Sequence, residues 1–261
     1  MPPPRGRVLI PPMEKELPVP IHELETHRGY ELVDLSAIEN SDRVIAELKP
    51  VAGFSYPEQI PLGRVAVSGL PFHLTRGAIA LSRSTPSVRI PIGRKATEVE
   101  FLGHVLFNSP AGPPAKPMPG LPFLMESSDV SQAQLMSGYP YSGAYKEPVA
   151  EYILNYEDGT RESIVLRNGV HFADYRLFYG LSHIDAIAIE TERAIKYSAD
   201  QDTKAFQLRL LSYRPKRPAS LIRDIEFRLL DPKYVPLLAA VTVQNQPGPA
   251  TDLGPHPEKA R

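Results

Sequence analysis

From Tyr30 onward the chain is built of short runs in which apolar and polar residues alternate. In Glu151-Tyr-Ile-Leu-Asn-Tyr-Glu157, residues Tyr152, Leu154 and Tyr156 fall on one face, the period of a half-buried strand. Asp158-Gly159 separates this run from a second at 162–166, and Asp-Gly between two such runs predicts a hairpin closed by a type I′ turn with positive φ. The same period places Val99 and Phe101 opposite Glu98 and Glu100. It places Phe206, Leu208 and Leu210 opposite Gln207 and Arg209, and Ile225, Phe227 and Leu229 opposite Asp224, Glu226 and Arg228. Residues 183–189, with Ile184, Ala186 and Ala188, read as a nearly continuous apolar strand. The runs recur with proline or glycine between them, the mark of an all-β antiparallel sandwich or jelly roll.

Three segments break the pattern. Residues 1–22 are proline-rich and without period, and read as an extended arm. Residues 245–261 read as a proline-rich disordered tail. Between them, 23–244 form one sandwich domain interrupted at 109–147 by a Pro/Tyr-rich insertion, and a loop of that length inside a compact domain is usually functional. Proline sharpens the picture: 29 of 261 residues is about twice ordinary usage. Proline has no N–H and breaks helix interiors, so long helices are not expected.

Charge and composition remove several classes of function. Lys+Arg is 29 and Asp+Glu is 30, a formal net charge of −1, which argues against a partner bound through its phosphate backbone. The apolar run Leu237-Leu-Ala-Ala-Val241 is far short of the roughly 20 residues needed to cross a bilayer. The opening Met-Pro-Pro-Pro-Arg-Gly-Arg lacks the apolar stretch of a secretory signal. The expected location is extracellular or periplasmic if a leader has been removed, and cytoplasmic otherwise. Cysteine is absent, which excludes disulfides, thiolate metal sites and cysteine nucleophiles.

The search for chemistry yields more exclusions than sites. His22-Glu-Leu-Glu-Thr-His27 has its histidines five apart, whereas a helical zinc pair needs them four apart on one face, so no metal site is expected. No P-loop, no dinucleotide fingerprint and no Gly-x-Ser-x-Gly elbow occurs; neither a cofactor nor a catalytic set is expected. Carboxylates at Asp174, Glu190, Glu192, Asp200 and Asp202 could supply the pair that glycoside hydrolysis requires, against the simpler reading as solvated surface charge. The aromatic clusters are more informative. Tyr139, Tyr141 and Tyr145 sit among Gly, Ser and Pro in the insertion, and Asp174, Tyr175, Arg176 and Tyr179 follow the turn signal Asn168-Gly169. Flat rings beside polar side chains suit a sugar, which offers C–H faces and hydroxyls. The competing reading has these rings pin long loops onto the sandwich.

Several segments, taken in order, resemble a known family. They are Tyr30-Glu-Leu-Val-Asp34-Leu-Ser36-Ala-Ile-Glu-Asn40; Ile60-Pro-Leu-Gly63 with Val67-Ser-Gly69-Leu-Pro71-Phe72; Ile90-Pro-Ile-Gly93 with Val99-Glu-Phe101-Leu102-Gly-His104; Tyr152 to Gly159 with Ile164 to Gly169; and the closing runs Leu221 to Phe227 and Leu237 to Val243. Together, from about Tyr30 to Val243, they look like the galactose-binding-like β-sandwich modules appended to bacterial glycoside hydrolases. Tyr175 stands where such modules carry a tryptophan, and Tyr213-Arg214-Pro215 where they carry Trp-x-Asn-Pro. The resemblance implies a jelly-roll fold and a non-catalytic carbohydrate-binding or hydrolase-associated role. Two alternatives stand beside it: an interaction or assembly protein that grips a protein partner, or a second copy of itself, through the arm and the Tyr-rich insertion, and a glycan-cleaving enzyme using a carboxylate pair.

Overall fold

The computed structural model describes residues 17–21, 29–47, 60–107, 146–175, 190–197 and 206–245. Its central sheet runs in the order β11 (Glu192–Tyr197), β12 (Phe206–Tyr213), β7 (Glu98–Leu106), β14 (Pro236–Gln244), β2 (Tyr30–Val33), with every neighbour antiparallel. Two short strands extend it: β5 (Ile79–Ala80) pairs with β14, and β10 (Ala173–Asp174) lies parallel to the end of β7. A second sheet has the order β6 (Ser87–Arg94), β13 (Ile222–Leu229), β8 (Pro148–Tyr156), β9 (Arg161–Arg167). A third, smaller sheet consists of β1 (Val19–Pro20), β3 (Gly63–Val67) and β4 (Leu70–Leu74), and one short helix, α1, spans Ser41–Ala46. The all-β antiparallel architecture expected from the period-two runs is thus observed, and it is compatible with a jelly roll.

The central sheet is covered on both faces. Towards the second sheet, Val99, Phe101, Leu106, Leu238, Val241 and Val243 pack against Ile90, Ile92, Tyr152, Leu154, Ile225 and Phe227. Towards the third sheet and α1, Leu102, Val105, Leu208, Leu210, Leu237 and Ala239 pack against Val44, Ile45, Val65, Val67, Phe72 and Leu74. The half-buried reading holds in part for β13, where Arg228 is exposed and Glu226 partly so beside buried Ile225 and Phe227 while Asp224 is buried, but not for β7 or β8, in which Val99 to Leu106 and Val149 to Tyr156 are all buried. Every residue of β14 is buried, and such a strand reads as a continuous apolar run because no face of it is left to water. An aromatic column crosses the first interface: Phe101 stacks on Tyr152 at 4.1 Å between ring centres, and Tyr152 meets Phe227 at 5.0 Å. Pairs of this kind add about 0.5–1.5 kcal/mol beyond the area they bury.

At the middle of the central sheet β7 carries a bulge. Gly103 has φ of 146° and His104 a φ of 47°, and the β7–β14 register shifts there. A Cβ on Gly103 would lie 2.7 Å from both the Leu237 carbonyl oxygen and the Leu238 Cα, so only glycine permits this approach. The extra residue re-aims the strand: His104 points into the interface with the second sheet, where its ring stacks on Phe172 at 5.2 Å.

The turns follow the glycines, with one correction. The hairpin β8–β9 exists, and Gly159 has the expected positive φ of 82°. Asp158 does not share it, however. Tyr156 N–H donates to the Thr160 carbonyl and Gly159 N–H to the Tyr156 carbonyl, which describes a three-residue loop ending in a left-handed glycine rather than a type I′ turn. The type I′ geometry occurs instead at Ser68-Gly69, with φ of 50° and 78°, closing β3 onto β4. Within the segment read as an extended arm, Val19 and Pro20 pair with Ala66 and Val65 at the border of the third sheet. Pro91 likewise lies in β6, the outer strand of the second sheet. At the far end of the hairpin, Glu162 accepts the hydroxyl protons of Tyr156, at 2.6 Å, and of Tyr213, and also receives the Lys216 N–H. Tyr213 therefore ties the β12–β13 connection to the second sheet. Of the insertion at 109–147 the structure describes only Lys146 and Glu147; its remainder, the 183–189 run and the tail beyond Asn245 lie outside the described residues.

Two predictions follow from this packing. Gly103→Ala should destabilise the protein by about 2–4 kcal/mol, because overpacking and left-handed strain act together. A urea midpoint equal to that of the wild type would show that β7 and β14 can move apart. The second concerns Glu100, 2% exposed on β7 and hydrogen-bonded by Ser212. Burial, with the Glu98 charge adding to it and the Ser212 bond opposing, pushes its carboxyl up to about 7. The folded protein thus holds a proton that the unfolded chain releases near pH 4.5, so stability falls as pH rises from about 4.5 to about 7 and levels off above that. Glu100→Gln should remove this slope and raise the melting temperature at pH 8; identical pH–stability curves for the two proteins would refute it.

Candidate functional site

A groove among the described residues lies where β2 ends, and the local sequence explains its shape. Asp34 accepts the Ser36 N–H at 2.9 Å through its side chain, turning the chain out of the strand. Ile38 and Glu39 then donate to the Leu35 carbonyl at 2.9 and 3.0 Å. Asn40 completes the loop by acting as an extra piece of strand. Its Oδ1 accepts the Ala80 N–H at 2.7 Å, and its Nδ2 donates to the Ala80 carbonyl at 3.1 Å. The backbone N–H groups of Asn40 and Ser41 both donate to the Ala78 carbonyl, and the Ser41 hydroxyl accepts the Ala78 N–H at 3.1 Å. The loop 36–40 is therefore fastened to β5, with Val44 and Ile45 of α1 buried behind it.

This fastening forms one wall of an open groove of about 690 Å³, completed by Arg76-Gly77 after β4 and by Thr85 to Arg89 at the start of β6. The volume is in the range of small-ligand pockets. Hydroxyls of Ser36, Thr85 and Ser87 alternate with the cations of Arg43, Arg76 and Arg89, and Glu39 and Asp42 supply the acidic groups. Among the described residues the lining contains no aromatic ring. Arg43 donates to the Thr85 hydroxyl at 3.1 Å, while Arg76 and Arg89 are exposed. Glu39 is set inward. Gly77 makes room for it, since a Cβ there would fall 2.6 Å from Glu39 Oε2, and Glu39 Oε1 is enclosed without a hydrogen-bond partner. An enclosed carboxylate oxygen with no donor is costly.

The residues singled out from sequence fare differently. Tyr139, Tyr141, Tyr145, Arg176 and Tyr179 lie outside the described residues, as do His22, His27, Asp200 and Asp202. Asp174 ends β10 opposite Leu106. Tyr175 is 9% exposed and packs on Phe107 at 5.6 Å within the core facing the third sheet. Among the candidate carboxylates, Glu190 is exposed and pairs with His171 Nε2 at 3.0 Å. No group of three or more potential metal ligands occurs among the described residues.

The structure also reveals a buried polar centre that the strand period conceals. Gln207 and Arg209, assigned to the polar side of β12, are 0% and 2% exposed. The Arg209 guanidinium donates to Thr191 Oγ1 at 2.8 Å, to the Thr191 carbonyl and to Gln207 Oε1 at 3.3 Å. Thr191 in turn donates to the His171 carbonyl at 3.1 Å, and His171 Nδ1 accepts the Arg167 N–H at 3.0 Å. His104, fully buried, shares a hydrogen bond of 3.1 Å between its Nε2 and the Tyr152 hydroxyl. Burial, reinforced by His171 and Arg209, lowers its pKa to about 3, so it is neutral at physiological pH. The cluster joins β7, β8, β12 and the 167–172 turn from within; its signal in the sequence is the pair Gly103-His104 in the apolar second half of β7.

No family model matches the chain, and neither does any curated protein or solved structure compared with it. The groove must therefore be read from its own chemistry. Its shape depends on Asn40, which makes two bonds to Ala80 that alanine cannot make. Asn40→Ala should cost about 1–3 kcal/mol, since each lost partner leaves a backbone group unpaired. Hydrogen exchange at the Ala80 amide should accelerate with it; unchanged protection there would show that the loop is held by other means.

Proposed function

We propose that this protein is a non-catalytic glycan-binding β-sandwich that takes its ligand in the groove between the β2–α1 loop and the start of β6. The observation that carries this reading is an open groove lined by the hydroxyl-bearing Ser36, Thr85 and Ser87, the cations Arg43, Arg76 and Arg89 and the carboxylates Glu39 and Asp42. A sugar presents many hydroxyls, each both donor and acceptor, and such a ligand meets every one of those groups. The antiparallel sandwich and the segments resembling galactose-binding-like modules support the same reading, and the Asp34-Leu-Ser36…Asn40 segment of that resemblance builds the groove wall. The described groove offers no nucleophile paired with a base and no opposed pair of carboxylates set apart from the arginines, so binding, not cleavage, is the chemistry it favours.

The test is an immobilised glycan panel followed by calorimetry on the ligands retained. At least one oligosaccharide should bind, and Arg76→Ala should weaken it at least tenfold with an unchanged melting temperature, because Arg76 is exposed and outside the core. Failure of every glycan to bind, or binding indifferent to Arg76, would overturn the proposal.

A further inference from the structure

We infer that β9, the open border of the second sheet, pairs with β9 of a second copy about a two-fold axis at Ser163, joining the two second sheets into one. The direction of the backbone groups leads there. Tyr156 N–H donates to the Thr160 carbonyl at 2.9 Å, which makes Tyr156 and Thr160 the first hydrogen-bonded pair of the β8–β9 hairpin. Such pairs alternate along an antiparallel ladder. Glu162 and Ile164 therefore bond to Leu154 and Tyr152, whereas the N–H and C=O of Arg161, Ser163 and Val165 point away from β8. No described residue takes up these groups. The side chains of the same residues are exposed, and Val165, at 38%, is one of the large apolar side chains left to water. The other borders of the two smaller sheets are blunted: Pro20 in β1, Pro71 in β4 and Pro91 in β6 each lack an N–H. β9 has no proline.

Symmetry sets the occupant. The open groups stop at Arg161 and Val165, because Gly159 N–H is given to the Tyr156 carbonyl and Arg167 N–H to His171 Nδ1 at 3.0 Å. That set is its own complement. In an antiparallel pair centred on Ser163, Arg161 meets Val165 of the second copy and Ser163 meets its own equivalent, so every open donor finds an acceptor. An axis at Ile164 would set Arg161 opposite Arg167, a like-charge pair, and would call on the N–H already held by His171. An axis at Glu162 would set Val165 opposite Gly159, whose N–H is also taken. The Ser163 register lays the aliphatic stem of Arg161 on Val165. It also brings the hairpin tip, with exposed Glu157 and Asp158, to the end of the opposing strand that carries Arg167. A two-fold pairing closes on itself, and Pro91 on the far border of the same sheet interrupts further growth. A ladder this short buries little surface and belongs to the weak, transient class of interface.

The experiment follows the mass of the full chain by sedimentation from about 1 µM to about 1 mM, the range in which a small interface associates. The expected result is a monomer at the low end and a dimer at the high end. Ser163→Pro removes an outward N–H that β8 does not use, and Val165→Lys removes the apolar contact. Each should weaken association at least tenfold and leave the melting temperature unchanged. The chain has no cysteine, so Ser163→Cys supplies one thiol per copy. A short bis-maleimide should couple it into covalent dimers, whereas Ser87→Cys, at the exposed start of β6, should stay uncoupled. A monomer throughout the range, or a dimer that keeps its affinity in both variants, would overturn the proposal. Equal coupling at Ser87, or growth beyond the dimer, would overturn it as well. Sedimentation of the wild-type chain and coupling at Ser163 decide the matter even if the proline variant folds poorly.

Discussion

The backbone of Gly103 lies so close to β14 that no side chain fits between them, and most of the molecule depends on that approach. β7 and β14 form the spine of the central sheet, buried on both faces. The sandwich with the second sheet and the packing of the third sheet both use these two strands as their floor. Without the bulge, the residues after Leu102 would fall on the opposite faces, since a one-residue shift inverts the side-chain alternation. With it, Phe101 and Leu106 both face the second sheet while Leu102 and Val105 both face the third. His104 is the residue that absorbs the irregularity, at the cost of a left-handed backbone and a buried imidazole, and the Tyr152 hydroxyl and the Phe172 ring accommodate it.

Much of this was legible from the order of residues, for reasons specific to each segment. The runs at 98–101, 151–166, 206–210 and 224–229 announced strands because their apolar residues recur every second position, and the hairpin at Gly159 was marked by Asp-Gly. What could not be read was the number of layers. Alternation tells which residues share a face, not whether the polar face meets water, and Gln207 and Arg209 show the difference: their partners, Thr191 and the His171 turn, come from elsewhere in the chain. The turn type at 157–159 was misjudged because two glycine-containing geometries share one dipeptide signal. The groove was hidden for a related reason. Its residues come from three separated stretches, 36–43, 76–77 and 85–89, and only Asp34-Leu-Ser36…Asn40 stood out in the sequence. The aromatic residues drew attention first because rings are the commoner sugar platform, whereas Tyr175 is packed into the core.

The groove owes its shape to a side chain that stands in for backbone. An asparagine side chain imitates a peptide unit beside Ala80, so the strand that should continue there is replaced by a loop, and the space left beside it is the groove. Because the imitation uses two hydrogen bonds of fixed direction, the wall is ordered before any ligand arrives, and little conformational entropy remains to be lost on binding.

Proline, first noticed here as an argument against helices, has another consequence at the borders of the sheets. An outer strand normally exposes unpaired N–H groups on which a second chain can build. Pro20 sits in the outermost strand of the third sheet and Pro91 in the outer strand of the second, and at each position one rung is missing from any ladder a newcomer might try to climb. Two copies that met along either of these borders could not extend the sheet by an unbroken ladder.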